Sequence, residues 1–340
     1  MAIHNPKTSV NSARKQNWLK FTFRAIFTIA ILSALFIWLP ADELWTAIKK
    51  TGFTLWVLVL VGASLFHIAA GWKWKVLLVA SGLKVKFLEA LRAHTAGLFA
   101  NIWLPSLTGG DLVRLTMVTK TKQQIASALT GSVTDRVNDV VSLLILTALG
   151  ILWIPSIEKS LGTQTLVLIT IIVVSDLFSA PVFLKYVHPN WFPKRFATAV
   201  TALKSALSAI MSKKKSMLVA QLTSLLIQSS FVMFNVAIGR AMGIEIPFSA
   251  WFFAWPLAKL AAMLPVSLGG MGVREAAMAG LLATFYVDPT LSVAQSLVWE
   301  TVMLGLGLIA GVASIGIGTL MRQNGLETGR ELKMSANNRP

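Results

Sequence analysis

Long apolar runs organise this chain, in place of the alternation of a strand or the narrow stripe of a soluble helix. Six of them approach or exceed the ~20 residues a helix needs to cross hydrocarbon. They lie at about 22–39, 53–71, 137–154, 164–184, 217–238 and 292–320. Two others, 88–104 and 249–265, are apolar but run directly into proline- and glycine-rich sequence. Shorter helical stretches follow them at 110–127 and 272–286. The pattern predicts an all-α polytopic membrane protein of about eight membrane segments, six full spans plus two re-entrant or broken-helix segments. Between the fourth and fifth spans, Phe192, Phe196, Val200, Leu203, Leu207 and Ile210 recur at steps of three and four, opposite Lys194, Arg195 and Lys204. That spacing fits a helix lying on anionic headgroups and equally a packed amphipathic connector.

Charge orients the segments. Charged residues make up 13% of the chain, about half the share of a soluble domain. Lys7, Arg14, Lys15, Lys20 and Arg24 precede the first span, and Lys73, Lys75, Lys84, Lys86 and Arg92 follow the second. Lys185, Lys194, Arg195, Lys204, Lys213, Lys214 and Lys215 follow the fourth, and Arg322, Arg330, Lys333 and Arg339 the last. The alternate loops hold only Lys49, Lys50, Lys159 and Arg240. The positive-inside rule therefore puts both termini in the cytoplasm, and the expected location is a bacterial-type inner membrane. Parity closes if the first proline-glycine segment dips in from the cytoplasm and the second from outside, which makes an inverted repeat. Helix pairs that cross fully keep the same parity, so charge leaves dips and crossings open. The expected layout is a basic amino terminus (1–24), a transmembrane domain (25–321) and a polar cytoplasmic tail (322–340). The basic leader is long and lacks a small-x-small cleavage site, so the first apolar run reads as an uncleaved span.

The net charge of +17 would suggest nucleic acid in a soluble protein. Here the bases lie between apolar blocks, where anionic headgroups account for them, and no nucleic-acid partner is expected. The chain has no cysteine, and His4, His67, His94 and His188 show no metal-ligand spacing. Neither metal nor cofactor is expected.

The two proline-glycine segments carry one motif, L-P-x3-G-G-x3-R. The first reads Leu104, Pro105, Gly109, Gly110, then Arg114 after Asp111. The second reads Leu264, Pro265, Gly269, Gly270, then Arg274 after Gly272. Proline removes an N–H and ends the incoming helix, and glycines reach backbone conformations closed to other residues. Non-helical backbone at membrane depth survives only against protein or a watery cavity. A helix restarting there points its amides at the break, and an arginine one turn later completes an anion site suited to phosphate. Broken helices in opposed repeats mark a transport site near the bilayer midplane. The plain alternative is that proline and glycine only bend packed helices, which leaves the matched arginines unexplained.

Further ionisable groups fall within apolar sequence. Asp135, Arg136 and Asp139 open the third span, with the two aspartates on one helical face. Asp176 lies in the fourth span, Lys259 in the second dip, Glu275 beside Arg274, and Glu300 early in the last span. Such groups line a cavity or pair with one another. The expected pairs are Arg114 or Arg136 with Asp139, and Arg274 or Lys259 with Glu300.

Three stretches, Asn101 to Arg114, the run Asp135, Arg136, Asp139, and Pro265 to Glu275, resemble the membrane region of lysylphosphatidylglycerol synthases, a flippase-like family. The resemblance covers about residues 20–320. It implies a lipid flippase fold, with Asn101 and the motif residues facing the lipid. The full-length synthases carry a separate soluble domain that transfers the amino acid, and here only a short polar stretch follows residue 321. The resemblance therefore implies the membrane activity, not a transferase. The leading expectation is translocation or binding of an anionic, phosphate-bearing membrane lipid. An accessory subunit docking a lipid-modifying synthase is the alternative. A lipid-linked glycosyl or aminoacyl transferase ranks below both, because no glycine-rich phosphate loop or Asp-x-Asp pair is present.

The absence of cysteine makes the topology directly testable. With single cysteines at Val10 or Arg330, an impermeant maleimide should label only after the membrane is opened. Labelling of either from outside would overturn cytoplasmic termini.

Overall fold

In the computed structural model, the described residues are 39–103, 109–119, 121–154, 212–263 and 270–337, with isolated positions such as Ser267 between them. Their helices are α1 (Ala41–Lys50), α2 (Phe53–Ala80), α3 (Phe87–Trp103), α4 (Gly109–Val118) and α5 (Lys122–Trp153). A second set comprises α6 (Lys214–Ala241), α7 (Phe248–Ala262), α8 (Val273–Ala283) and α9 (Pro289–Asn337). Four of them, α2, α5, α6 and α9, are long and apolar enough to cross a membrane. Most of the expected span at 22–39, the span at 164–184, nearly all of the 192–210 connector, and Pro105, Pro265 and Gly269 lie outside the described residues.

Several boundaries differ from those the apolar runs predict. Helix α2 continues past residue 71 to Ala80, so Lys73 is not in a loop. It is 1% exposed, in the interior. Helix α4 stops at Val118, and α5 starts at Lys122 rather than near 137. The Thr121 N–H donates to Gln124 Oε1 (3.3 Å), which caps the new start. The first turns of α5 are polar, but Thr130, Ser132, Thr134 and Asp135 are buried against other helices, so apolarity alone misses them. Helix α1 also escapes an apolarity search. Asp42 and Glu43 in its first turn and Lys49 and Lys50 in its last complement the helix dipole. At the other end, α9 runs on helically to Asn337, through the stretch expected as a polar tail.

The burial pattern is that of a membrane protein. Leu218, Leu222 and Leu226 on α6 are exposed, as are Leu308, Val312 and Ile315 on α9. Ser142, Ser224, Gln228, Asn235 and Gln295 are buried. Gln221 Nε2 donates to Ser142 Oγ (2.8 Å) and Gln295 Nε2 to Asn235 Oδ1 (2.5 Å), which joins α6 to α5 and α9. Apolar side chains outward and hydrogen-bonded amides inward suit a solvent that offers no hydrogen bonds.

After each proline-glycine segment the chain packs back on itself: α4 lies against α3, and α8 against α7. At the first break the Gly110 N–H donates to Asn101 Oδ1 (3.0 Å). A side chain at Gly110 would meet the Gly97 carbonyl and Asn101. At the second, Gly270 and Gly272 take φ of 83° and 80°, a region open to glycine at little cost. The Gly272 N–H donates to Glu275 Oε2 (2.6 Å). At about 1.5 Å per residue, the 17 residues of α3 reach about 25 Å and the 15 of α7 about 22 Å. The returning helices have 10 and 11 residues. None matches a hydrocarbon core of about 30 Å.

Packing pairs the two halves reciprocally. Helix α3 lies along α9 and α7 along α5, while α2 packs on α6. Each returning helix also meets the span that follows it, α4 on α5 and α8 on α9. Glycine permits both exchanged contacts. A Cβ at Gly150 of α5 would lie 2.5 Å from the Phe253 backbone nitrogen of α7. One at Gly311 of α9 would lie 2.6 Å from Phe99 Cδ2 of α3.

The close approach at the first break sets a stability test. Gly110→Ala should destabilise the detergent-solubilised protein by about 1–3 kcal/mol through overpacking. Gly280→Ala, with nothing within 4 Å of the added Cβ, should leave the thermal midpoint unchanged or slightly higher. Equal midpoints for the two variants would show that the break tolerates a side chain.

Candidate functional site

Three cations and three carboxylates meet where α2, α4 and α5 come together. Lys73 Nζ, from α2, lies 2.6 Å from Asp139 Oδ1 and 3.0 Å from Asp135 Oδ1 on α5. It also donates to Ser224 Oγ of α6 (2.7 Å), which in turn donates to Asp139 (2.9 Å). Arg114 Nη2 reaches Asp135 Oδ2 at 3.1 Å, and Nη1 reaches Asp111 Oδ1 at 3.2 Å. Arg136 grips Asp111 with two parallel bonds, Nε to Oδ2 (3.0 Å) and Nη2 to Oδ1 (2.8 Å). Such forks are among the stronger ion-pair geometries. The Arg114 guanidinium also lies 4.2 Å from the centre of the Trp74 ring. Lys73, Arg114 and Asp135 are buried, the Arg136 side chain is 43% exposed, and the six charges cancel, as the buried ones require.

A second cluster forms at the other break. Arg274 of α8 bonds Glu300 of α9 and Glu275 (3.0 Å), and its Nε donates to Ser296 Oγ (3.3 Å). Ser296 Oγ donates to Glu275 Oε1 (3.1 Å). Each motif arginine is thus tied to a carboxylate of the span that follows it, Asp135 or Glu300.

The first cluster lines a cavity of about 130 Å³. Asn101, Asp111 and Arg114 come to its wall from α3 and α4, and Asp135, Arg136 and Asp139 from α5. The far wall belongs to the second half, with Gln228 and Phe231 of α6 and Lys259 of α7. Lys259 Nζ donates to Gln228 Oε1 (2.7 Å) and lies 5.1 and 4.9 Å from the centres of Phe231 and Trp255. His67 and His94 complete the wall, with His67 Nδ1 and His94 Nε2 3.4 Å apart.

The expected pairing is therefore right for Arg274 with Glu300 and wrong elsewhere. Asp139 takes Lys73, neither Arg114 nor Arg136, which are held by Asp135 and Asp111. Lys259 takes an amide rather than Glu300. The physical reason is Lys73: its buried ammonium sits between the two aspartates of that face, takes Asp139, and shares Asp135 with Arg114. Arg274, Glu275 and Glu300 do not line the cavity that holds Arg114. Sequence reading also passed over Lys73, His67, His94, Gln228 and Phe231. Both histidines sit in apolar runs, so the rule that exposed Lys259 and Glu300 would have found them. Lys73, between Trp72 and Trp74, reads as the basic flank of a span until the helix is seen to continue.

Residues 25–311 match the family described as the lysylphosphatidylglycerol synthase TM region. The chain is 20% identical over 266 residues to a UPF0104 membrane protein of Pyrococcus horikoshii, covering 68% of this chain and 79% of that one. It is 21% identical over 312 residues to a UPF0104 membrane protein of Archaeoglobus fulgidus, covering 85% and 94%.

Buried ion pairs fail asymmetrically when one partner is removed. Arg274→Leu alone should cost about 3–5 kcal/mol, because it strands Glu275 and Glu300. Adding Glu300→Leu should recover a large part of that loss, read as the midpoint of thermal unfolding in detergent. A double variant no more stable than the single one would show that the pair is not a coupled unit.

Proposed function

The chain belongs to the lysylphosphatidylglycerol synthase TM region family, and from that premise we propose that it binds an anionic, phosphate-bearing lipid and translocates it across the cytoplasmic membrane. The observation that carries this reading is the charged cavity at the first helix break, walled by helices of both halves. A polar cavity among apolar-faced helices gives a headgroup a place to leave water while its acyl chains stay in lipid. The reciprocal packing of α3 on α9 and α7 on α5 supports two inverted repeats, completed to six spans by the segments at 22–39 and 164–184. Helices too short to cross support dips rather than full crossings at both breaks. In this reading both termini are cytoplasmic.

The proposed activity is carriage, not group transfer. Every carboxylate of the cavity wall is held by a cation, so none stands free as a general base. Rocking of one repeat against the other would open the cavity to either side. The ties Arg114–Asp135 and Arg274–Glu300 would then move each dip together with its neighbouring span.

The test uses vesicles of neutral lipid containing only the purified protein and a fluorescent phosphatidylglycerol. Dithionite should quench well beyond the half accessible in protein-free vesicles. Quenching that stops at half would overturn translocation. The same protein, given lipid acceptors with activated sugars or aminoacyl-tRNA, should form no lipid product, and a stoichiometric product would overturn the non-enzymatic reading.

A further inference from the structure

The six ionised groups of the first cluster cancel, yet the cavity wall holds a seventh. Lys259 has no carboxylate within ion-pair distance among the described residues; its polar contact is the neutral Gln228 amide. Phe231 and Trp255 face its ammonium with the negative faces of their rings, which soften the charge without cancelling it. With neutral histidines, the wall therefore carries one net positive charge. Such a charge at membrane depth is costly, and it is normally retained because something pairs with it. Two further polar atoms point the same way: Arg114 Nε and His94 Nδ1, both in cavity-lining residues, are buried without a hydrogen-bond partner among the described residues.

We infer that Lys259 is the residue that takes the ligand's charge, and that the cavity accepts a phosphate group carrying a single net negative charge. This rests on the carrier reading above and names its ligand class. The motif arginines would then be positioning residues, committed to Asp135 and Glu300, while the second half's lysine supplies the free cation. A cavity of about 130 Å³ corresponds to roughly four waters' share of liquid. That suits one phosphodiester group with its acyl chains left outside. A second negative charge would face Asp111, Asp135 and Asp139 with no free cation to answer it. A zwitterionic headgroup would bring an extra positive charge to a wall already at plus one.

The experiment measures binding to the full chain in detergent micelles doped with phosphatidylglycerol, phosphatidylcholine or diacylglycerol, and separately with inorganic phosphate at pH 6. Wild type should bind phosphatidylglycerol at least ten-fold more tightly than either other lipid. Lys259→Gln should lose about ten-fold for phosphatidylglycerol and bind it no better than diacylglycerol, while Lys259→Arg stays within about three-fold of wild type. Without ligand, Lys259→Gln and Lys259→Met should both melt higher than wild type, because each removes an unpaired charge. That shift also reports that they fold. If wild type prefers phosphatidylglycerol and Lys259→Gln keeps that affinity within two-fold, the inference fails and the carrier reading stands. If inorganic phosphate binds through Lys259 and phosphatidylglycerol does not, the charge role stands and the lipid reading fails. If no phosphate probe binds wild type, the inference fails, and the vesicle assay decides the carrier reading independently.

Discussion

Hydrocarbon offers no hydrogen bonds, and this chain twice leaves the helix among apolar segments. Every backbone group freed there needs a partner from the protein. At the first break that partner is Asn101, which accepts from the Gly110 amide. At the second it is Glu275, which accepts from the Gly272 amide. The second solution brings a formal charge with it. Arg274 and Glu300 follow as consequences, because a buried carboxylate needs a cation and a two-carboxylate site needs its cation well placed.

The same logic orders the first cluster. Asp111 lies in the first turn of the helix after the break and draws Arg114 and Arg136. Arg114 then needs more than a shared aspartate, and Asp135 serves it. Asp135 and Asp139, one helical turn apart, are answered by Lys73 from α2. The chain of pairings ends in exact charge balance across α2, α4 and α5, so the cluster can sit in the interior. Lys259 stands outside that balance, and it comes from the other half of the molecule.

Reciprocal packing is what puts it there. Because α7 lies along α5 and α3 along α9, the helix before each break reaches a long helix of the opposite half, and groups from residues 228–259 face groups from 67–139 across one cavity. On the two receiving helices, Gly150 lets the α7 backbone close on α5, and Gly311 leaves room for the Phe99 ring of α3. Had each broken segment packed only within its own half, the cavity would have been walled by residues of that half alone.

The amino-acid sequence by itself determined the class of this protein, its helical membrane segments around residues 53, 217 and 292, both helix breaks, and most of the charged residues near them. Those features are local: apolar run length, proline and glycine at fixed spacing, and a charge inside an apolar run are each read within about twenty residues. Tertiary structure decided the rest. The start of α5 at Lys122 was hidden because Thr130, Ser132, Thr134 and Asp135 are polar yet buried by other helices. Lys73 passed for a loop residue because nothing nearby in sequence shows the aspartates that hold it. Asp139 and Lys73 are paired across 66 residues, and Lys259 and Gln228 across 31. Which cation meets which acid depends on helices brought together by packing, and no local pattern encodes that choice.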